Sequence, residues 1–154
     1  MFPETFPSHL RPVLGVSKEA QRFDTVLMGR HTYEVGLREG VTSPYSHLRQ
    51  YVISRTIEQR PDPAVELHRD DPLKLVRRLK AEHGMDIWLC GGSKLAAAVF
   101  TEIDQLILKI NPAVIGTGIP LFDGFERVVP AALIEHKVYA NGFVLAQYNL
   151  HRAA

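Results

Sequence analysis

Two apolar runs in this chain end in glycine and pass directly into helical sequence: VLMGRHTYE at 26–34 and WLCGGSKLA at 88–96. A strand that turns through glycine into a helix is the unit of a parallel sheet, because parallel strands need a crossover between them. The neighbouring sequence fits the same scheme. TVLMG (25–29), YVIS (51–54), AVELH (64–68), DIWLC (86–90) and QLILKI (105–110) read as strands, with AVELH at an edge. RHTYEVGL (30–37) and SKLAAAVF (93–100) read as short helices, the second with Ser93 as its cap. The longest helix starts at Asp71-Pro72, a capping residue followed by a favoured first-turn proline. It carries Leu73, Val76, Leu79 and Lys80 on one face, and Gly84 is its expected stop.

After residue 110 the pattern changes. Residues 111–124 form a loop punctuated by glycine and proline, and LIEHKVY and FVLAQYNLH then flank Ala140-Asn141-Gly142. Asn-Gly predicts a type I′ hairpin. The expected fold is therefore α/β: a mostly parallel sheet flanked by helices, with a C-terminal antiparallel hairpin at its edge. A length of 154 residues fits one domain over 1–154. Residues 1–16, with Pro3, Pro7 and Pro12, read as an extended arm, and 17–154 as the core, opening on a short helix SKEAQRF capped by Ser17.

A net charge of +1 argues against a nucleic-acid or anionic-lipid partner. No apolar run reaches the roughly 18 residues of a membrane span, and the N-terminus lacks an apolar signal core. A cytoplasmic location is expected. Cys90, the only cysteine, cannot form an internal disulfide and reads as packing in a buried strand, as does Trp88 beside it. The seven histidines show no metal-ligand spacing, so no metal is expected. KLVRRLK (74–80) reads as the solvated side of its helix.

The chemistry is expected at the strand ends. Each glycine junction offers open backbone N–H groups at a helix start, which suits phosphate. Glycine also lets the backbone approach a ligand closely. Arg30 adds a planar cationic fork, and Thr32 and Ser93 add hydroxyls. A third strand end carries Ser54, Arg55 and Thr56, a setting for a phosphate on a ribose. One such turn is usually only a turn. Three together point to a nucleotide, although neither a G-x-G-x-x-G nor a Walker sequence is present.

VLMGRHTYE, YVISRT, DIWLCGGSKL and IDQLILKINPAVIGTGIPLF, in this order and spacing, resemble the dihydrofolate reductase-like superfamily, in the branch of the riboflavin-biosynthesis reductase domain. The loop PxxIGxGxPLF, Pro112 to Phe122 here, is the most specific mark, and the match covers roughly 23–150. The resemblance implies an NADPH-dependent reductase of a pterin or aminopyrimidine-like small molecule. It implies that Gly29, Arg30, His31 and Thr32 hold the pyrophosphate or adenosine side. Ser54, Arg55 and Thr56 would meet the ribose and its 2′-phosphate. Gly91, Gly92, Ser93, Lys94 and Leu95 would wrap the pyrophosphate. The loop with Gly116, Thr117, Gly118 and Phe122 would lie near nicotinamide and substrate.

Members of this superfamily open with an apolar strand and a Ser-Leu-Asp-Gly-like turn, which this sequence lacks. That strand lies between those matching 86–90 and 105–110. Three outcomes follow from its absence: the two strands close up, another chain supplies a strand, or the sequence is a shortened form of a longer protein, which is the expectation adopted. No carboxylate stands out as a proton source. Glu34 reads as a solvated side chain, Asp24 as a turn cap, and Asp123 as a weak candidate in the loop. The alternative to a reductase is a non-catalytic nucleotide-binding or dimeric module, with Val138, Phe143, Val144 and Leu145 of the hairpin as a pairing surface for a homodimer.

Overall fold

A computed structural model describes residues 22–60 and 62–151. The expected arm at 1–16 and the Ser17 cap lie outside them. Of SKEAQRF only Arg22 and Phe23 are described, and Phe23 opens a strand instead of closing a helix.

The elements run β1 (Phe23–Gly29), α1 (Arg30–Arg38), β2 (Arg49–Ile53), β3 (Val65–His68), α2 (Pro72–Ala81), β4 (Asp86–Gly91), α3 (Ser93–Ala98), a 3₁₀ turn (Phe100–Glu102), β5 (Gln105–Ile110), β6 (Ala131–Val138) and β7 (Val144–Leu150). The first four strands form a parallel sheet of order β3-β2-β1-β4. The remaining three form a separate antiparallel sheet, β5-β7-β6. The antiparallel strands therefore do not extend the parallel sheet as an edge. Within the described residues β4 pairs only with β1 and β5 only with β7, so one edge of each is left without a strand.

β1 is the central strand and is buried almost throughout. Its Leu27 faces a core made with Tyr51, Leu75, Val76, Leu79, Leu95 and Val99, which seats α2 and α3. Its Val26 and Met28 face the opposite core with Tyr33, Leu48, Val52 and Val65, which seats α1. The period of two along the strand thus supplies both layers.

Asp71 caps α2 as its position predicts, its carboxylate accepting from the Leu73 N–H at 2.9 Å. The helix stops at Ala81 with Glu82 already extended, so Gly84 is not its terminator. Leu75, Val76 and Leu79 form its buried side, and Lys80 lies outside it. There Lys80 pairs with Asp104 at 2.9 Å, and Arg77 with Glu102 at 2.8 Å. Gly84 instead lies against Asp24, which does cap a turn: its carboxylate accepts from Met85 N–H and Thr25 Oγ1 at 2.7 Å each. Trp88 packs edge-on against Tyr45, centroids 4.8 Å apart, and near Phe23, as core packing requires.

The hairpin differs from its prediction. Gly142 N–H bonds to the Tyr139 carbonyl at 2.8 Å, and Tyr139 N–H to the Phe143 carbonyl at 3.0 Å. Gly142 alone in this turn has positive φ, at 87°, whereas a type I′ turn needs positive φ at both central residues. Asn141 has negative φ, so the connection is a three-residue loop in which glycine supplies the left-handed position.

Candidate functional site

The three polar junctions stand at the carboxyl ends of three adjacent parallel strands, β2, β1 and β4, where ligands of open α/β sheets sit. Register aligns them. Gly29 lies opposite Ile53, the residue before Ser54, and Met28 lies opposite Gly91.

The two glycine turns touch. A methyl group on Gly29 would stand 3.5 Å from the Gly91 carbonyl oxygen and 3.5 Å from Gly92 Cα. One on Gly92 would stand 3.4 Å from Gly29 Cα. Gly92 also has φ of 107°, which a side chain rarely tolerates. Thr32 closes the same corner, its Oγ1 lying 3.4 Å from where a Gly91 methyl would be. Gly29, Thr32, Gly91 and Gly92 are therefore brought together, with Ser93 next to them as the first residue of α3. Gly92, not Ser93, holds the cap position of that helix.

Arg30 and His31 begin α1. Both approach Glu34: Arg30 Nε at 3.7 Å from one carboxylate oxygen and His31 Nδ1 at 3.2 Å from the other. Glu34 is half-buried and anchors the two basic groups, so it is not the freely solvated side chain expected. The signal was available in the three- and four-residue spacings from His31 and Arg30. The Arg30 side chain keeps 40% exposure, and its Nη2 lies 3.3 Å from His31 Nε2.

On the third junction, Ser54 is buried and its Oγ accepts from the N–H groups of Thr56 at 3.2 Å and Ile57 at 3.1 Å. Its hydroxyl shapes its own turn, leaving Arg55 and Thr56 exposed beyond it. Lys94 is exposed. Leu95 is buried in the core against the glycine corner, so its side chain is packing and only its backbone belongs to the turn.

The loop after β5 is divided. Phe122 is anchored edge-on against Phe100, centroids 5.0 Å apart, and Asp123 N–H bonds to the Ser93 carbonyl at 3.2 Å. That ties the loop end to α3. Gly116, Thr117 and Gly118 are exposed, and no described contact brings them to the glycine corner.

A cavity of about 870 Å³ opens from Gly91–Ser93 and Ile119–Phe122 and runs between β4 and β5 along their length. This size falls within the range of ligand clefts. Cys90 borders it, with Tyr45 Oη at 3.4 Å from its sulfur, and burial pushes the thiol up to about 11. Below the ordinary thiol value of 9.0 both folded and unfolded forms hold the proton. Between 9.0 and about 11 only the unfolded thiol ionises, so stability is lost as pH rises through that window. Urea unfolding at a series of pH values is expected to show a steeper alkaline loss for the native sequence than for Cys90→Ala.

Among the described residues no helix is long and apolar enough to cross a membrane. The family model for the RibD C-terminal domain matches residues 15–145. Two uncharacterized Bacillus subtilis (strain 168) proteins are similar. YwjB is 36% identical over 110 residues, 70% of this chain and 63% of its own length. YyaP is 26% identical over 151 residues, 90% of this chain and 80% of its own. Among solved structures, a putative riboflavin biosynthesis protein from Shewanella sp. PV-4 superposes with TM-score 0.72 at 24% identity, covering 85% of this chain and 76% of that one. A deaminase/reductase from Thermotoga maritima, diaminohydroxyphosphoribosylaminopyrimidine deaminase/5-amino-6-(5-phosphoribosylamino)uracil reductase, superposes with TM-score 0.65 at 16% identity, covering 94% and 49%.

Proposed function

The chain therefore belongs to the RibD C-terminal domain family, and from that premise we propose that it is an NADPH-dependent reductase of a small heterocycle of pterin or aminopyrimidine type. The observation that carries this reading is the contact between the glycine turns of β1 and β4, where backbone replaces side chains at the ends of neighbouring strands. This is a cradle for the pyrophosphate of a dinucleotide. Open N–H groups, the Thr32 and Ser93 hydroxyls and the Arg30 guanidinium supply its donors. Exposed Arg55 and Thr56 lie at the end of the neighbouring strand and would meet the adenosine ribose and its 2′-phosphate. When bound, NADPH would supply the hydride. Gly91–Ser93 would hold its pyrophosphate, and the loop end at Phe122 would border the nicotinamide and the ring that receives the hydride.

Titration with NADPH, followed by nicotinamide fluorescence, is expected to saturate. A flat titration overturns the reading. Arg55→Ala is expected to lower the preference for NADPH over NADH by several-fold, since only NADPH carries the 2′-phosphate. An unchanged ratio removes Arg55 from that site.

A second reading, nucleotide binding without turnover, is favoured by one observation. Glu34, the acidic residue of the helix that follows the β1 glycine turn, is engaged by Arg30 and His31 instead of being offered to a substrate. Saturable NADPH binding without NADPH consumption across a panel of pterins and aminopyrimidines selects it. A homodimer is proposed through β6. Phe143 and Leu145 are buried, so the exposed apolar positions are Leu133, Ile134 and Val138 on that edge strand. Sedimentation as a monomer at all concentrations counts against the dimer.

A further inference from the structure

The rim of the parallel sheet continues past β2. Ile53 pairs with His68 in parallel register, so Ser54 and Arg69 leave the sheet beside one another, at the same end as the glycine corner. Ser54 N–H donates to the His68 carbonyl at 3.0 Å, one step beyond the last paired residues. Arg69 thus follows the end of β3 much as Arg55 follows the end of β2.

The connection from β2 to β3, residues 54–64, holds no helix or strand among its described residues. Side chains fix its course instead. At its far end Asp62 accepts from Thr42 Oγ1 at 2.7 Å and from Ala64 N–H at 2.8 Å. At its near end three tethers act. Ser54 Oγ takes the Thr56 and Ile57 N–H groups. Ile57 packs, partly buried, on the core of Val52 and Val65. Arg69 Nη2 donates to the Glu58 carbonyl oxygen at 2.7 Å, across eleven residues. Between the Ser54 and Glu58 tethers stand Arg55 and Thr56, both exposed. Among the described residues no hydrogen bond or ion pair holds the Arg55 guanidinium.

We infer that Arg69 is a positioning residue for the 2′-phosphate end of the proposed dinucleotide site. Through the Glu58 carbonyl it clamps the turn that carries Arg55, and so it sets how strongly the chain prefers NADPH to NADH. The inference rests on the reductase reading of the site. Its physical basis is preorganisation. A free arginine head loses rotamer entropy when it meets a phosphate, and a loose turn beneath it adds to that loss. Fixing the turn in advance leaves only the side chain to be ordered. The guanidinium suits the task, being permanently charged and a rigid planar donor. Its acceptor is a backbone carbonyl, so the path of the loop is held whatever side chain stands at 58. Nothing in the sequence around Arg69 marks this role; only the pairing of β2 with β3 brings it to Glu58.

Two measurements on the full chain test it. The first uses no cofactor. In Arg69→Ala, amide hydrogen exchange at Thr56 and Ile57 is expected to quicken by about 3- to 10-fold, the worth of one net hydrogen bond, while Leu27 and Val52 in the sheet keep their rates. The second is fluorescence titration with NADPH and with NADH, on the native chain, Arg69→Ala, Arg55→Ala and the double variant. Arg69→Ala is expected to lower the NADPH-to-NADH preference by about 3- to 10-fold, with NADH affinity moving by about twofold or less. Added to Arg55→Ala, it is expected to cost nothing further, because it acts through Arg55. Unchanged exchange at Thr56 and Ile57 overturns the clamp. Equal losses for both nucleotides, or a full loss that persists without Arg55, overturn the positioning role. Saturable binding with an unchanged preference overturns this inference alone. A native chain that binds neither nucleotide overturns the reductase reading and this inference with it.

Discussion

Gly92→Ala is expected to abolish measurable NADPH binding and to lower stability by about 1–3 kcal/mol. The stability loss has a backbone cause. At φ of 107° and ψ of 101° a Cβ is strained whatever space surrounds it. There is little space, since the added methyl stands 3.4 Å from Gly29 Cα and 3.5 Å from Leu95 Cβ. Relief requires the β4 turn to move away from the β1 turn, and this separates the two halves of the phosphate cradle. Binding is therefore expected to fall further than stability. A thermal melt reads the first effect and fluorescence titration the second. A variant that melts earlier yet binds NADPH with native affinity would show the glycine corner to be structural alone.

Arg30→Ala is expected to weaken binding and leave stability almost unchanged. Its only described carboxylate contact is the 3.7 Å approach to Glu34, an exposed helix pair worth about 0.3–0.5 kcal/mol. The fold should hardly register its removal. A charge-assisted hydrogen bond to phosphate is worth about 1.5–3 kcal/mol, so NADPH affinity should fall roughly 10- to 150-fold. Loss of folding with unchanged affinity would make Arg30 a corner residue and no more. Because Glu34 holds both Arg30 and His31, Glu34→Gln is expected to weaken binding mildly by loosening the arginine, in the same titration. An unaffected affinity would mean that the anchor is dispensable.

The strand–glycine–helix corners were legible because their cause is local: apolar residues, then a residue without Cβ, then a helix start. QLILKI became β5 at its predicted bounds for the same reason. What escaped was set by partners distant in sequence. Nothing near Gly84 tells that Asp24 lies over it, or that α2 ends three residues earlier. Leu95 looked like part of a ligand turn because its neighbours are, while its side chain answers to the core. The turn at 140–142 was misassigned because Asn-Gly is compatible with two hairpin geometries, and loop length chose the other. Among the described residues no strand stands between 86–90 and 105–110, and the two sheets border a common cavity. Of the three outcomes read from sequence, closing up of these two strands is the one not seen.

The division into two sheets bears on cooperativity. The parallel sheet has a core on each face, whereas the antiparallel one is held by Phe143 and Leu145 with Ile107 and Tyr139 around them. Such a small cluster opens at a lower free energy than the cores around β1. The C-terminal sheet is thus expected to be the first part lost on denaturation, before the glycine corner gives way, an order that amide hydrogen exchange in rising urea would read.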